Sequence, residues 1–577
     1  MASIDHRKAA LFGAVLSLCA SVVMDTAAQQ GSSAEADTQV TSSPPPWSSD
    51  LGPADLASIV PENPFAAIPP QCYTKTRDAT GTVHNPCYTC HVDSPAPNYA
   101  NDSDLQTAYD FPDPAAHNAW TNLFKDRRAA IAAMPDGQIA AYVARSNYRN
   151  GDRLALNERL NALPPEWDTD KDGKWDGYRP DIWLSFDKEG YDHAPDGSLT
   201  FWRNYDYAPL PGSFWPANGS FDDVAIRLPA LFRTDADGRT DLSIYGLNLA
   251  IVEALVKRRH IAIEPTDETA LGVDLNHDGR LGIASHVAYA FDPRNGINMS
   301  YVGTAKTALE RGETHLAAGL FPEGTEFVHS LRYLAVGKDG AVTPAPRMKE
   351  LRYAIKARWF DYWPLRETAL KELREAVDNP DFPERFFGSL ERGISLKEGW
   401  RFQGFIEDVN GDLRPQSSEE TMTCAGCHGG IGRTVDSTFS FARKMDDDRA
   451  EAGWQSGESS AYSHPFPDPV GQDGKGEYAE YLRRNGAGDE FRSNVEILRR
   501  YVFGKNAAQN VAALAKDVRP LLLPSPDRAT ELNKAYRLIV EEQSFDKGRM
   551  PVVAPLDETV HQNVEIGEKT GIETPVE

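Results

Sequence analysis

The sequence has few of the residues that usually mark a reactive site. It contains 6 cysteines, 8 methionines and 13 histidines among 577 residues. It has no phosphate-binding or dinucleotide-binding glycine fingerprint, no G-x-S-x-G elbow and no H-E-x-x-H motif, so the usual signatures of nucleotide, serine-hydrolase and zinc-protease chemistry are missing. Its net charge of -25 argues against nucleic acid or an anionic membrane surface as a partner and suits a partner protein with a cationic docking surface.

Four of the six cysteines fall in two copies of C-x-x-C-H, at residues 87–91 and 424–428. In this pattern, two thiols about one helical turn apart can add to the vinyl groups of one haem, and the next histidine is held under the iron as its proximal ligand. The alternative is a redox-active C-x-x-C or half of a zinc site, and a zinc site needs two more nearby ligands. The predicted attachment and proximal-ligand residues are Cys87, Cys90, His91, Cys424, Cys427 and His428.

On these two motifs the sequence resembles a dihaem c-type cytochrome. The resemblance covers only the motifs and a few residues around them. It implies two covalently attached haem c groups, a redox partner protein and an electron-transfer function between redox partners. Dihaem peroxidases and related oxygenases also carry two such motifs and keep one haem iron open, so a dihaem oxidoreductase is the alternative.

Met134 and His464 are the predicted distal ligands of the two haem irons. The Met134-Pro135 segment and the helical pattern after it are similar to the segment that supplies the sixth ligand in small class I cytochromes c. His84 and His117 are rivals of Met134. His464 follows the second motif, where Met445 is a rival and Met422 and His329 are also possible. Packing in the core is the alternative interpretation for Met134, as for most methionines.

One acidic loop has the spacing of a calcium site. Asp168, Asp170, Asp172 and Asp176 alternate along D-x-D-x-D-G-x-x-D, a pattern that wraps oxygen ligands around a hard cation. Position twelve is Arg179, where an EF-hand needs a bidentate glutamate, so the loop is an incomplete EF-hand. Calcium is therefore a further candidate cofactor, and a solvated turn is the alternative. Residues 274–279 are a weaker match.

The N-terminus has the features of an export signal. A short positive region precedes an apolar run over residues 9–23, and small residues offer cleavage after Ala28. Cys19 offers lipid attachment as an alternative, although Leu18 stands where a lipobox has a small residue. We therefore expect a periplasmic or extracellular protein, secreted through an N-terminal signal peptide and without a membrane span in the mature chain.

The expected fold is mainly α with a β/loop-rich middle region, in a multi-domain chain with two cytochrome c-like haem-binding regions. Strand patterns occur at residues 199–202 and 327–336, and helical periodicity occurs at 244–259 and at 350–377, with a kink at Pro364. The predicted regions are a signal peptide (1–28), a flexible linker (29–60), an N-terminal haem region (61–163), the middle region with calcium-type loops (164–345), a C-terminal helical haem region (346–550) and a tail (551–577).

Overall fold

A nine-stranded antiparallel sheet is the centre of the fold. The computed structural model describes residues 61, 63–77, 83–84, 87–92, 96–98, 103–204, 216–382, 384–432, 434–438, 467–468, 476, 478–479 and 505–575. The strands are β1 (Thr76–Arg77), β2 (Val83–His84), β3 (Arg149–Asn150), β4 (Arg153–Leu154), β5 (Tyr191–His193), β6 (Leu199–Asn204), β7 (Phe221–Arg227), β8 (Ile261–Asp267), β9 (Ile283–Val287), β10 (Glu326–Val336), β11 (Val342–Lys356), β12 (Phe387–Ser389), β13 (Gly393–Ser395), β14 (Trp400–Glu407) and β15 (Leu413–Pro415).

The order of strands in the large sheet is β12-β13-β14-β11-β10-β7-β6-β5, and β15 pairs with β14. The long β10–β11 hairpin lies at its middle, with Glu326 opposite Ile355. Seven of the eight residues of β14 are buried, as expected for a strand covered on both faces. Polar residues on β14, such as Gln403 and Glu407, are therefore enclosed by protein.

The helices surround this sheet. They are α1 (Cys87–Cys90), α2 (Arg128–Ala133), α3 (Asp136–Val143), α4 (Ala155–Asn161), α5 (Leu242–Lys257), α6 (Glu268–Leu271), α7 (Thr304–Glu310), α8 (Tyr362–Asp378), α9 (Ser418–Met422), α10 (Ala425–His428), α11 (Ala507–Leu514), α12 (Arg519–Leu522) and α13 (Pro526–Glu542). The predicted helix at 244–259 is confirmed as α5. Its N-cap Asp241 accepts hydrogen bonds from the backbone N–H groups of Ser243 and Ile244, which satisfies donors that a helix start leaves unpaired.

The expectation of a mainly α fold is wrong, because the antiparallel sheet organises the chain. The predicted helix at 350–377 shows why. Residues 350–356 belong to β11 and pair with β14, and α8 begins only at Tyr362, capped by Asp361. We expected Pro364 to kink a longer helix. It lies instead in the first turn of α8, where proline is tolerated.

The cytochrome c-like regions expected around each C-x-x-C-H motif are also wrong. Each motif forms a single four-residue turn, α1 or α10. The helix before α10 lies against sheet strands, and its residue Glu420 pairs with Arg414 of β15. The second motif is therefore positioned mainly by the sheet and the loops around it.

The C-terminal segment packs against the beginning of the described chain. Val552, Leu556 and Val560 are buried in one cluster with Tyr73 and Trp120. The N–H of His561 donates to the carbonyl of Tyr73 at 2.7 Å. Residues 53–577 form one compact unit, and the boundaries of the regions within it stay predictions. None of the helices in the described part of the chain is long and apolar enough to cross a membrane.

Candidate functional site at the junction of the two C-x-x-C-H segments

The first C-x-x-C-H segment is a tight helical turn. In α1 the N–H of His91 donates to the carbonyl of Cys87 at 2.8 Å, which places the two cysteines about one turn apart. The side chain of Gln106 donates to the carbonyl of His91. Cys87 is buried, whereas Cys90 and His91 are half-buried. The turn thus has the local geometry that the motif predicts.

The second segment is held by a capped helix and a buried ion pair. Ser417 and Glu420 form a capping box at the start of α9, which satisfies two backbone donors reciprocally. Glu420 also accepts two hydrogen bonds from Arg414, at 2.7 and 2.8 Å. The N–H of His428 then donates to the carbonyl of Cys424 at 3.0 Å. The segment is therefore fixed to the sheet through α9.

The structure brings the two segments together, although they are far apart in the sequence. Gly426 lies so close to the carbonyl of Ala67 that a side chain at position 426 would collide with it. A side chain at position 432 would likewise collide with the carbonyl of Val92. Asn98 donates to the hydroxyl of Thr434 at 3.0 Å. The chain before and after the first motif thus packs on the second, and both motifs line one junction.

The thiols of this junction influence one another. Burial, together with the nearby Cys90 and Cys424, raises the pKa of Cys427 to about 12. Burial also raises the pKa of Cys72 well above its usual value, with Cys87, Cys90 and Cys427 adding to the effect. Thiols with a raised pKa are poor nucleophiles, so a thiol–disulfide exchange site is disfavoured here. Cys72, to which the sequence assigned no role, belongs to this junction.

His428 is oriented by a carbonyl group of a strained turn. Its Nδ1 lies 2.7 Å from the carbonyl oxygen of Ser437, so Nδ1 carries the proton and donates, and the lone pair is on Nε2. The ring packs on Phe402 with 5.0 Å between centroids. Burial lowers the pKa of His428 to about 4, which keeps the imidazole neutral. A neutral imidazole with Nδ1 bound to a carbonyl is the usual arrangement of a metal-ligating histidine.

The turn that carries Ser437 is itself anchored in the core. Asp436 and Ser437 both have a positive φ, 47° and 60°, a conformation that costs free energy for residues other than glycine. Asp436 is held by the Lys356 ammonium at 2.5 Å, and both side chains are almost completely buried. The N–H of Phe321 donates to the same carboxylate at 3.0 Å. These contacts fix the carbonyl that orients His428.

The structure does not bring the predicted distal ligand Met134 to this junction. Met134 ends α2 and packs against a separate cluster that includes Ile139, Tyr333 and Ile539. His464, the other predicted distal ligand, lies outside the described residues. Both assignments stay predictions. Sequence reasoning missed Lys356, Asp436 and Ser437, because no motif links these residues to a histidine.

The predicted calcium loop gains a buried carboxylate from a distant part of the chain. Ligand atoms of Asp168, Asp170 and Glu391 lie within 4.8 Å of one another, as do those of Asp170, Asp172 and Asp176. Glu391 has no exposed surface. Its carboxylate accepts hydrogen bonds from the N–H of Asp176 at 2.7 Å and from the hydroxyl of Thr169 at 3.2 Å. Glu391 thus lies beside the loop, although position twelve of the loop, Arg179, is not a glutamate.

An arginine lies over the outer side of the same loop. Nη2 of Arg392 is 2.6 Å from Asp176 and 3.3 Å from Asp170. The weaker loop at 274–279 is similarly joined to a buried glutamate, because Glu268 accepts hydrogen bonds from the backbone N–H groups of Leu275 and Asn276. In the described part of the chain, the groups of three or more ligating atoms found this close together are the two acidic ones at the first loop.

The chain belongs to a lipoprotein family. A family model described as a lipoprotein family matches residues 56–519. The chain is also 30% identical over 540 residues to a protein of Aquifex aeolicus (strain VF5) named "Uncharacterized lipoprotein", an alignment that covers 86% of this chain and 87% of the relative. No solved structure matches the chain.

These comparisons correct the resemblance drawn from the two motifs. The assignment to dihaem c-type cytochromes is wrong, because the family and the relative are lipoproteins. The electron-carrier function and the alternative of a dihaem oxidoreductase depended on that assignment and are wrong with it. Neither comparison supports the haem and electron-transfer descriptions. The comparisons confirm the prediction that the protein is exported, since lipoproteins are exported proteins that lipid holds at a membrane.

Proposed function

We propose that this lipoprotein is anchored on the periplasmic or extracellular side of a membrane and binds a prosthetic group at the junction of its two C-x-x-C-H segments. The group expected from these segments is covalently attached haem c, one per segment. The observation that carries the proposal is the meeting of both segments at one junction, with His428 oriented by the carbonyl of Ser437 at 2.7 Å. The proposal concerns the cofactor and assigns no electron-carrier role.

The residues at the junction fit such a group in two respects. Each segment presents two thiols on one helical turn followed by a histidine. The lone pair of His428 is on Nε2, the nitrogen that would bind iron. When bound, haem c would supply iron chemistry, and the chain would hold and orient it. Binding of a cationic partner and the lack of nucleic acid binding stay predictions.

Removing either pair of cysteines should remove one equivalent of covalent haem. We would produce the full chain in a host that attaches c-type haem and measure haem by absorbance and by intact mass. Cys87→Ser with Cys90→Ser, and Cys424→Ser with Cys427→Ser, should each lower the haem content from two to one. Cys72→Ser is the matched control, because Cys72 lies beside the same thiols but outside both motifs, and it should keep two haems.

The same preparations distinguish haem from other occupants of the site. A chain without covalent haem that binds zinc or iron through its thiols would contradict the proposal and indicate a thiolate metal site. A chain with neither haem nor metal would contradict it as well.

We propose Cys19 as the attachment point of the lipid. It lies within the apolar run of the export signal, and the family is a lipoprotein family. This interpretation replaces cleavage after Ala28 and accepts Leu18 as an unusual residue before the cysteine. Residues 18 and 19 lie outside the described part of the chain.

Cys19→Ser should move the protein from the membrane fraction to the soluble fraction and abolish incorporation of labelled fatty acid. The physical reason is that acyl chains provide the membrane affinity, at about 0.8 kcal/mol for each buried CH₂. Cys72→Ser should change neither readout. Retention of Cys19→Ser in the membrane with an incorporated fatty acid would show that the lipid is attached elsewhere.

We propose further that residues 168–176 bind calcium in a structural role. The supporting observation is Glu391, a fully buried carboxylate beside Asp168 and Asp170. It offers the glutamate oxygens that the loop lacks at position twelve. Calcium prefers such carboxylate and carbonyl oxygens in flexible geometry. The ion would join the loop to the turn between β12 and β13.

A further inference from the structure

One surface of the molecule is unusually apolar. Helix α8 exposes several large apolar side chains, and Phe382 and Phe387 in the segment after it are exposed as well. Trp363 is 65% exposed and Val377 79% exposed. The exposed apolar residues of the helix, which we call the α8 face, are Trp363, Leu370, Leu373 and Val377. Concentrated exposed apolar residues usually mark an interaction site.

The helical spacing gathers these four residues on one side. Leu370, Leu373 and Val377 are three, four and seven positions apart, and Trp363 precedes Leu370 by seven, so all four lie on one stripe. The side of the helix adjacent to this stripe is buried through Leu365 and Ala369. The stripe therefore faces away from the body of the protein.

The helix presents this stripe rigidly. Asp361 caps its N-terminus by accepting from the N–H of Trp363. The hydroxyl of Tyr362 donates to the carbonyl of Ala318 at 2.6 Å. Glu372, on the buried side, pairs with Lys397 at 2.9 Å. These contacts fix the orientation of the α8 face.

Cations are interleaved with the apolar residues. Arg366 is four positions before Leu370, and Arg374 is three before Val377, so both lie along the stripe, and both are exposed. Glu367 is exposed beside them, so the stripe carries two cations and one anion. Apolar side chains flanked by arginine are typical of helices that lie in the interface of a phospholipid bilayer, where arginine meets the phosphates. A second copy of the same surface would bring these arginines close to one another.

We infer that the α8 face rests on the phospholipid surface in which the lipid anchor is held. The net charge of -25 opposes recruitment of the chain from solution by anionic lipid. An anchored protein needs no such recruitment, because the anchor keeps the face at a high effective concentration near the bilayer. The inference depends on membership in the lipoprotein family, and it is independent of the cofactor and of the position of the acylated cysteine.

The test places a photo-crosslinking amino acid at position 377 or 370 of the full, acylated chain in vesicles of phosphatidylethanolamine and phosphatidylglycerol. The matched control has it at position 566, where Ile566 is 57% exposed and lies far from α8 in the sequence. We expect the yield of lipid adducts at 377 and 370 to exceed that at 566 by about tenfold, since apolar burial drives the contact. Leu373→Glu should lower the yield at 377 severalfold.

Other occupants give different products. A crosslinked dimer at positions 377 and 370 would show that a second copy covers the face, and an adduct within one chain would show that another segment covers it. Either product in place of the lipid adduct would overturn the inference. Lipid yields equal to those at position 566 would overturn it as well. Loss of haem would leave these yields unchanged, so failure of the cofactor proposal is a separate result.

Discussion

Glu398→Gln should stabilise the folded chain at about pH 8 and leave its stability close to that of the parent at about pH 5. Burial, together with the carboxylates of Glu372 and Glu384, raises the pKa of Glu398 from 4.5 to about 8. The folded state therefore keeps the proton in a range where the unfolded chain has released it. Stability from this group is complete below pH 4.5 and is lost as the pH rises toward 8.

The size of the effect follows from the shift. One pKa unit corresponds to about 1.4 kcal/mol, so Glu398 accounts for up to about 5 kcal/mol of pH-dependent free energy of unfolding. Burial raises the pKa of Glu407 too, whereas it lowers the pKa of Lys349 and of His428. These groups change the stability of both chains with pH in opposite directions, so the difference between the parent chain and Glu398→Gln isolates the contribution of Glu398.

The measurement is urea unfolding of both chains at several pH values. The two curves should be similar near pH 5, and the variant should be the more stable chain near pH 8. Glu323→Gln, at an exposed position, is the control and should follow the parent. A constant difference between Glu398→Gln and the parent at all pH values would show that Glu398 is ionised in the folded chain.

Local patterns in the sequence predict single elements well. The strand at 327–336 is confirmed as part of β10 and the one at 199–202 as part of β6. The helix at 244–259 is confirmed as α5, which ends at Lys257. In each case the side chains have one periodicity, and the nearest turn residues lie outside the element.

The arrangement of the elements could not be predicted in the same way. Residues 350–356 have helical periodicity, yet Leu351 and Glu350 pair with Phe405 and Ile406 of β14. Pairing with a distant strand overrides local preference, because a strand buried on both faces needs no alternation of polar and apolar residues. The sheet therefore contradicts a fold class inferred from helical segments.

The sequence predicted the residues of the candidate site but not the contacts between them. The sequence identifies Cys87, Cys90, Cys424, Cys427 and their histidines as a chemical pattern, because the spacing alone carries the argument. It gives no sign that the two segments meet or that Ser437 orients His428. The motif also led to a family that the comparisons contradict. A short motif indicates local chemistry, whereas the family depends on the whole chain.

Calcium should raise the thermal stability of the chain, and EDTA should lower it, through the loop at 168–176. An ion that binds only the folded state adds about 3 kcal/mol when it is in a hundredfold excess over Kd. The four loop carboxylates and Glu391 should supply this binding. We would measure the difference in Tm between calcium and EDTA, with magnesium as the comparison ion, because magnesium requires a stricter octahedral geometry.

Two substitutions test whether the response belongs to this loop. Asp170→Asn and Glu391→Gln keep oxygen acceptors for the hydrogen bonds of the loop while each removes one negative charge. Both should reduce the calcium-induced rise in Tm to less than about half, since the charge of the ligands sets calcium affinity. The readout is the rise itself, so a general loss of stability would not imitate the result. Asp274→Asn in the weaker loop is the matched control. An unchanged rise in both test variants, together with a loss in Asp274→Asn, would place the ion at the loop beside Glu268, where Glu268 already bonds the N–H groups of Leu275 and Asn276.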